Sequence, residues 1–389
     1  MEIRCAERIN KIPPYLFARI DKAIARKKAE GEEVINLGIG DPDLPTPRHI
    51  VQAMQRYVED ESTHRYPSYE GMAEFREAVA KWYKRRFGVK LNPENEVIAL
   101  IGSKEGIAHL PLALLNPEEL AIVPNPAYPV YRMGTILAGG EPIDLPLTKE
   151  KNFLPDLWSI EKNIARKAKL MFLNYPNNPT TATASKSFFK EVVDFAEENE
   201  IIVAHDAPYS ELTFDGYRAP SFLEIKGAKE VGVEFHSLSK TYNMTGWRIG
   251  MAVGNKEVLK ALGKVKQNVD SGVFNAVQKA AIVAMEGSQK EFRKNLKIWK
   301  ERRDFMVDGL QKLGFDVEKP KATFYLWIPL PEGEKDSISF AEKILEKTGV
   351  VFTPGVGFGS WGEGYIRLAL THELERLEEA LNRLKKVMS

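Results

Sequence analysis

The chain has 389 residues, enough for two domains or for one large domain with an appendage. Its 55 Lys+Arg against 54 Asp+Glu leave a formal charge of +1, which removes any electrostatic case for a nucleic-acid or acidic-membrane partner. The single cysteine, Cys5, excludes an intrachain disulfide and a cysteine-rich metal site, and the absence of signal-length or membrane-length apolar runs leads us to expect a reducing cytoplasm.

In chain order, Pro13 and Pro14 force an extended entry, and a helix is expected over 16–28. VINLGIGDPDLPTP, 34–47, reads as a short strand running into a Gly/Asp/Pro loop, where Gly38 and Gly40 let the backbone approach a ligand. Residues 48–88 read as two helices around HRYPSYEG. Apolar strands then alternate with helical patterns, the mark of a parallel sheet. The strand at 97–101 runs into Gly-Ser-Lys-Glu-Gly and a helix through Leu115. The free amides and dipole of that helix start suit a phosphate, although a plain serine cap has the same sequence. The strand at 120–123 leads to PNPAYPVYRMG, the one at 169–174 to NYPNNPT, and the one at 201–205 to HDAPYSE. Asp206 thus ends a parallel strand, where α/β ligand sites are built; a helix-capping aspartate is the plainer alternative.

FHSLSKTYNMTGWRIG, 235–250, sets Lys240 among Ser237, Ser239 and Thr241, with Arg248 eight positions on and a strand at 249–253. A lysine can form an imine with an aldehyde while hydroxyls and a guanidinium hold a phosphate. A surface Lys and Arg beside a serine-rich turn fits the same letters. Helices follow at 256–268 and 275–285, with Asp270-Ser271-Gly272 between them, and a long one at 289–313. The remainder reads as strands at 323–328, 350–353 and 365–370 with helices near 337–347 and 373–387. Arg367 interrupts the apolar strand YIRLAL; buried unpaired it would be costly, so it needs either an internal ion pair or a ligand carboxylate.

SLSKTYNMTGWRIG resembles the lysine segment of pyridoxal-phosphate aminotransferases of fold type I, and the similarity runs from about Tyr15 to the C-terminus. The resemblance implies an α/β large domain, 48–288, with a mostly parallel seven-stranded sheet flanked by helices. It also implies a smaller α+β domain at 289–389 and an arm, 1–47, that joins the small domain. Pyridoxal 5′-phosphate is the implied cofactor, with Lys240 as its imine partner and the catalytic base. Carried over residue by residue, the phosphate falls to Ser103, the Lys104 amide, Ser237, Ser239 and Arg248. Tyr128 would stack on the ring, Asp206 would meet the ring nitrogen, and Asn178 and Tyr209 would meet the phenolic oxygen. Tyr66 would reach the phosphate of the other subunit, which requires a homodimer. For the substrate, the resemblance implies Arg367 on the α-carboxylate, with Gly40, Tyr15, Tyr128, Asn178 and the Lys104 side chain nearby. Glu70 is the acid available for a distal ammonium group, one place later than in related enzymes, where this chain has Tyr69. A second departure is Pro179-Thr180-Thr181, where the family has Pro-Thr-Gly, so a different local turn is expected.

Within the family the chain most resembles the LL-diaminopimelate aminotransferases, on IPPYLFARID, GSKEGIAH and SLSKTYNMTGWRIGMAVGN. The implied partners are an amino acid and a 2-oxo acid, with a ping-pong exchange serving lysine synthesis. A broader aspartate, alanine or aromatic aminotransferase, a pyridoxal-phosphate C–S β-lyase and a non-catalytic cofactor-binding protein are the alternatives.

Overall fold

The computed structural model describes residues 4–13 and 18–388; Tyr15 lies outside them. Twelve strands are found among these residues: β1 Ile35–Asn36, β2 Val97–Leu100, β3 Leu120–Asn125, β4 Glu141–Pro146, β5 Ala168–Asn174, β6 Ile202–Asp206, β7 Gly232–Ser237, β8 Gly250–Gly254, β9 Tyr325–Pro329, β10 Val350–Val351, β11 Thr353–Pro354 and β12 Tyr365–Ala369. A seven-stranded sheet has the order β2-β8-β7-β6-β5-β3-β4, and β8 alone runs against the others. Strands β2, β5 and β8 are largely apolar on both faces because helices cover both, whereas the edge strand β4 exposes Glu141 and Asp144. Leu170 and Phe172 of β5 join one core with Leu110 and Leu262, while Met171 and Leu173 join the other with Phe75 and Phe189. That alternation is the two-residue repeat of a strand sorting its side chains between two helical layers.

Strands β3, β5, β6 and β7 end at Asn125, Asn174, Asp206 and Ser237, so four polar side chains emerge at one edge of the apolar sheet. A second, antiparallel sheet has the order β11-β12-β9, and β1 pairs in parallel with β10. The expected strand at 350–353 is therefore two strands serving different sheets, turned at Phe352. The long helix, expected at 289–313, spans Lys290–Lys312 and packs on the terminal helix Leu374–Met388. Among the described residues no helix is long and apolar enough to cross a membrane.

At the Asn178-Pro179-Thr180-Thr181 turn, Thr181 itself takes the left-handed conformation, φ +62°, that glycine adopts without steric cost. Its amide donates to Asn177 O at 3.0 Å, so the turn is closed despite the missing glycine. A β-branched residue there is strained. Thr181→Gly is expected to stabilise the fold by about 1 kcal/mol after the extra chain entropy of glycine is counted. Urea unfolding checks this; a loss of stability of the same size would show that Thr181 is not strained.

Candidate active site

A cavity of about 350 Å³ lies at the carboxyl ends of β5, β6 and β7 and is closed from the other side by residues of β9 and β12 and the loop after β1. One wall is the start of the helix Ser103–Leu114. Gly102 precedes it with φ +74°, and a Cβ there would overlap Arg248 Nη2, so glycine is what lets the guanidinium stand over the helix start. Arg248 donates to Thr245 O at 2.8 Å and to Ile101 O at 3.4 Å. Ser237 and Ser239 line the same wall, the Ser237 hydroxyl accepting from the Ser239 amide. Free helix-start amides, two hydroxyls and a guanidinium make an anion cradle.

The floor is Asp206, at the end of β6. Its Oδ2 accepts from the Tyr131 hydroxyl at 2.8 Å, while Oδ1 is buried without a partner. Burial pushes the Asp206 carboxyl up to about 7, against the lowering pull of the Tyr131 bond and of His205 and Lys240. Between about pH 4 and about 7 the folded carboxyl holds a proton that the unfolded one has released. The chain alone should therefore lose stability as pH rises through that window, on the order of 4 kcal/mol in all. Unfolding curves for wild type and Asp206→Asn at several pH values measure it. Parallel curves for the two proteins would contradict this assignment.

His205, the neighbour of Asp206 in β6, belongs to a buried network. Glu234 of β7 accepts from Tyr83, Ser221 and the Phe222 amide, each at 2.8 Å, and also meets His205 Nδ1 and His236 Nε2. Burial opposes its charge, yet these donors hold the Glu234 carboxyl well below the usual carboxylate range. The Tyr175 amide donates to His205 Nε2 at 3.3 Å, which leaves Nδ1 to carry the proton toward Glu234.

Lys240 lies in the short helix Leu238–Thr241 directly after β7, half-buried, with Nζ donating to Gly40 O at 3.0 Å. Arg367 enters from β12 and is 7% exposed. Its Nη1 donates to Asn178 Oδ1 at 2.7 Å, its Nη2 to Gly38 O at 2.8 Å, and Nε has no partner. Its guanidinium stacks between the Tyr325 and Phe358 rings. No carboxylate pairs with it among the described residues, so the internal ion pair considered from sequence is absent. With the Asn178 oxygen accepting from Arg367, its Nδ2 is the end of the amide that can donate.

Tyr128 lines the cavity with the Lys104 ammonium 5.8 Å from its ring centre. Tyr209 lines it too, but its hydroxyl is shared with Tyr325 at 3.1 Å. Tyr325 and Tyr131 were not singled out from sequence. At Gly40 a Cβ would overlap the Tyr325 hydroxyl, so packing alone already requires glycine there. Tyr66, 90% exposed, and Glu70, also exposed, lie outside this cavity of their own chain.

A doubly covered α/β sheet with a lysine, an aspartate and an unpaired arginine converging at its carboxyl edge has a match across nearly the whole sequence. Residues 32–384 match the aminotransferase class I and II family, and the chain belongs to it. A relative described as LL-diaminopimelate aminotransferase from Halothermothrix orenii is 56% identical over 380 residues, 98% of this chain and 97% of its own. One of the same description from Desulforudis audaxviator is 58% identical over 380 residues, with the same coverage of both chains. Among solved structures, substrate-bound BacF from Bacillus subtilis superposes with a TM-score of 0.94 at 41% identity, covering 100% of this chain and 98% of that one. A probable N-succinyldiaminopimelate aminotransferase from Thermus thermophilus gives 0.89 at 38%, covering 95% and 99%.

Aminotransferases of this class use pyridoxal phosphate, and the cavity fits it. The orphaned Asp206 Oδ1 matches a protonated ring nitrogen, the cradle under Arg248 matches a phosphate, and the Lys240 amine matches an aldehyde.

Proposed function

We propose that this chain moves an amino group between LL-2,6-diaminopimelate and 2-oxoglutarate, forming tetrahydrodipicolinate and glutamate, with pyridoxal 5′-phosphate held in the cavity at the edge of the large sheet. One observation carries the proposal: Lys240, the carboxylate-free Arg367 and the half-satisfied Asp206 face a single cavity. When bound, the cofactor supplies an aldehyde for the substrate amine and a ring that takes up the electron pair released at the α-carbon.

The chain's own residues do the rest. Ser103, the Lys104 amide, Ser237, Ser239 and Arg248 hold the phosphate. Asp206, steadied by Tyr131, keeps a negative charge against the ring nitrogen. Tyr128 covers the ring face, while Asn178 and Tyr209 donate at its phenolic oxygen. Arg367 takes the substrate α-carboxylate in a two-pronged pair, its fork held flat by Asn178, Gly38 and the two aromatic rings. Lys240 Nζ removes the α-proton and later returns one, which an amine placed beside the reacting carbon does efficiently.

The narrow substrate follows the relatives' descriptions; the Lys104 side chain and Glu70 are the groups we assign to the distal end. Glu70 and Tyr66 then serve across a homodimer, which the exposure of the segment carrying them supports. The division into 1–47, 48–288 and 289–389 is part of the same reading, supported by the pairing of β1 with β10. So is a cytoplasmic setting.

The test is a single-turnover spectrum of cofactor-loaded protein mixed with LL-diaminopimelate, and separately with glutamate, aspartate and alanine. Fast conversion with the first two alone is the expected result. Equal conversion with aspartate and alanine would overturn the narrow substrate, and sulfide release from cystathionine would indicate a lyase.

A further inference from the structure

Behind the anion cradle sits a fully buried lysine that the mechanism does not use. Lys266, 0% exposed, is on the helix Lys256–Val269, which packs against the helix Ser103–Leu114. Its ammonium lies 3.1 Å from both carboxylate oxygens of Glu105 and 3.0 and 3.3 Å from those of Asp270. His109 Nδ1 also meets Glu105, at 2.8 Å. Glu105, His109 and Asp270 converge as metal ligands would, but the ammonium already occupies the position between the carboxylates.

Glu105 is the third residue of the helix whose start forms the cradle. Its Oε2 reaches back to accept from the Ile101 amide at 3.1 Å, and the Ile101 carbonyl in turn receives Arg248 Nη2. The carboxylate therefore pins the turn on which the phosphate donors stand. Asp270 on the other side accepts from the Gly272 amide at 2.7 Å. Gly272 lies so close to the segment carrying Tyr66 that a Cβ would stand 2.9 Å from Ser68 O. A single buried ammonium thus ties the cradle to the exposed loop.

We propose that Lys266 is a positioning residue that, through Glu105, fixes the Ile101–Ser103 turn in the register that binds the cofactor phosphate. The inference rests on the cofactor reading above. A charge-assisted tie of this kind loses its geometry when either end is removed.

The experiment titrates cofactor-free wild type, Lys266→Met, Lys266→Arg and Glu105→Gln with pyridoxal 5′-phosphate and with pyridoxal, which has no phosphate, following absorbance. Thermal unfolding is recorded alongside. Lys266→Met should weaken pyridoxal phosphate about tenfold or more and pyridoxal less than about twofold, and Lys266→Arg should restore most of the loss. Equal weakening of both compounds would mean a merely structural lysine, and no weakening would mean no coupling; either overturns the proposal. Should Lys266→Met fail to fold, Glu105→Gln decides, because it keeps the Lys266–Asp270 pair; it must show the same phosphate-selective loss or the proposal falls. Wild type that binds neither compound would overturn the cofactor reading itself, a distinct result.

Discussion

Lys240→Ala should leave a folded protein whose turnover falls by roughly 10⁴-fold or more. The two halves of that statement have separate causes. The side chain is half-buried and makes one hydrogen bond, to Gly40 O, so its removal costs no more than about 1.5 kcal/mol of stability. The Leu238–Thr241 turn does not depend on it, since Ser237 caps that turn and Leu238 anchors it in the core. Catalysis, by contrast, needs an amine at the substrate α-carbon. Lys104 and Lys240 are the lysines lining the cavity, and the Lys104 ammonium lies on the Tyr128 side. Single-turnover kinetics and thermal unfolding measure the two halves. A variant that retained a tenth of the wild-type rate would remove Lys240 from the mechanism.

Arg367→Lys should raise the KM for amino donors and oxo acceptors alike by roughly a hundredfold, with kcat falling less. Arginine satisfies Asn178 and Gly38 with one nitrogen each and presents the rest of a rigid planar fork, clamped by Tyr325 and Phe358. Lysine keeps the charge but neither the plane nor the two-pronged pair. Because every substrate carries the α-carboxylate, the loss should be uniform across substrates, whereas a residue of the distal end would alter their ratio. Unchanged KM values would contradict carboxylate binding by Arg367.

Strands β3, β5 and β6 are legible because each is an apolar run closed by Asn or Asp, and their limits shift by a residue or two. Strands β4 and β7 were not, because EPIDLP and GVEFHS carry charges and imidazoles inside the run. In β7 the charge is Glu234, which is held by donors from three other segments, and no local pattern announces those. The cavity gathers Ser237, Ser239, Lys240 and Arg248 of the motif together with Asp206, Asn178 and Arg367, while Thr241 does not line it. Tyr325 and Tyr131 went unread because an aromatic residue in an apolar segment has an ordinary core interpretation. What distinguishes Tyr325 is its approach to Gly40, far away in sequence. No local pattern marks Lys266, whose burial depends on Glu105 from a distant helix and on Asp270.

The pairing of β1 with β10 joins the beginning of the chain to its end. The Ile35 amide donates to Gly349 O, the Ala369 amide donates to Leu37 O, and Gly38 O accepts from both Thr353 and Arg367. Gly38 and Thr353 are 315 positions apart. At about 5–20 residues per second, a ribosome needs roughly 15–60 s to cover that distance. The seven-stranded sheet is complete in sequence by Gly254, so the wall bearing Asp206 and Lys240 can assemble during synthesis while the segment around Gly38 waits without a partner. On the function proposed here, a nascent chain therefore holds the Lys240 amine with no Arg367 guanidinium opposite it, and the carboxylate clasp is complete only after the last strand has left the ribosome.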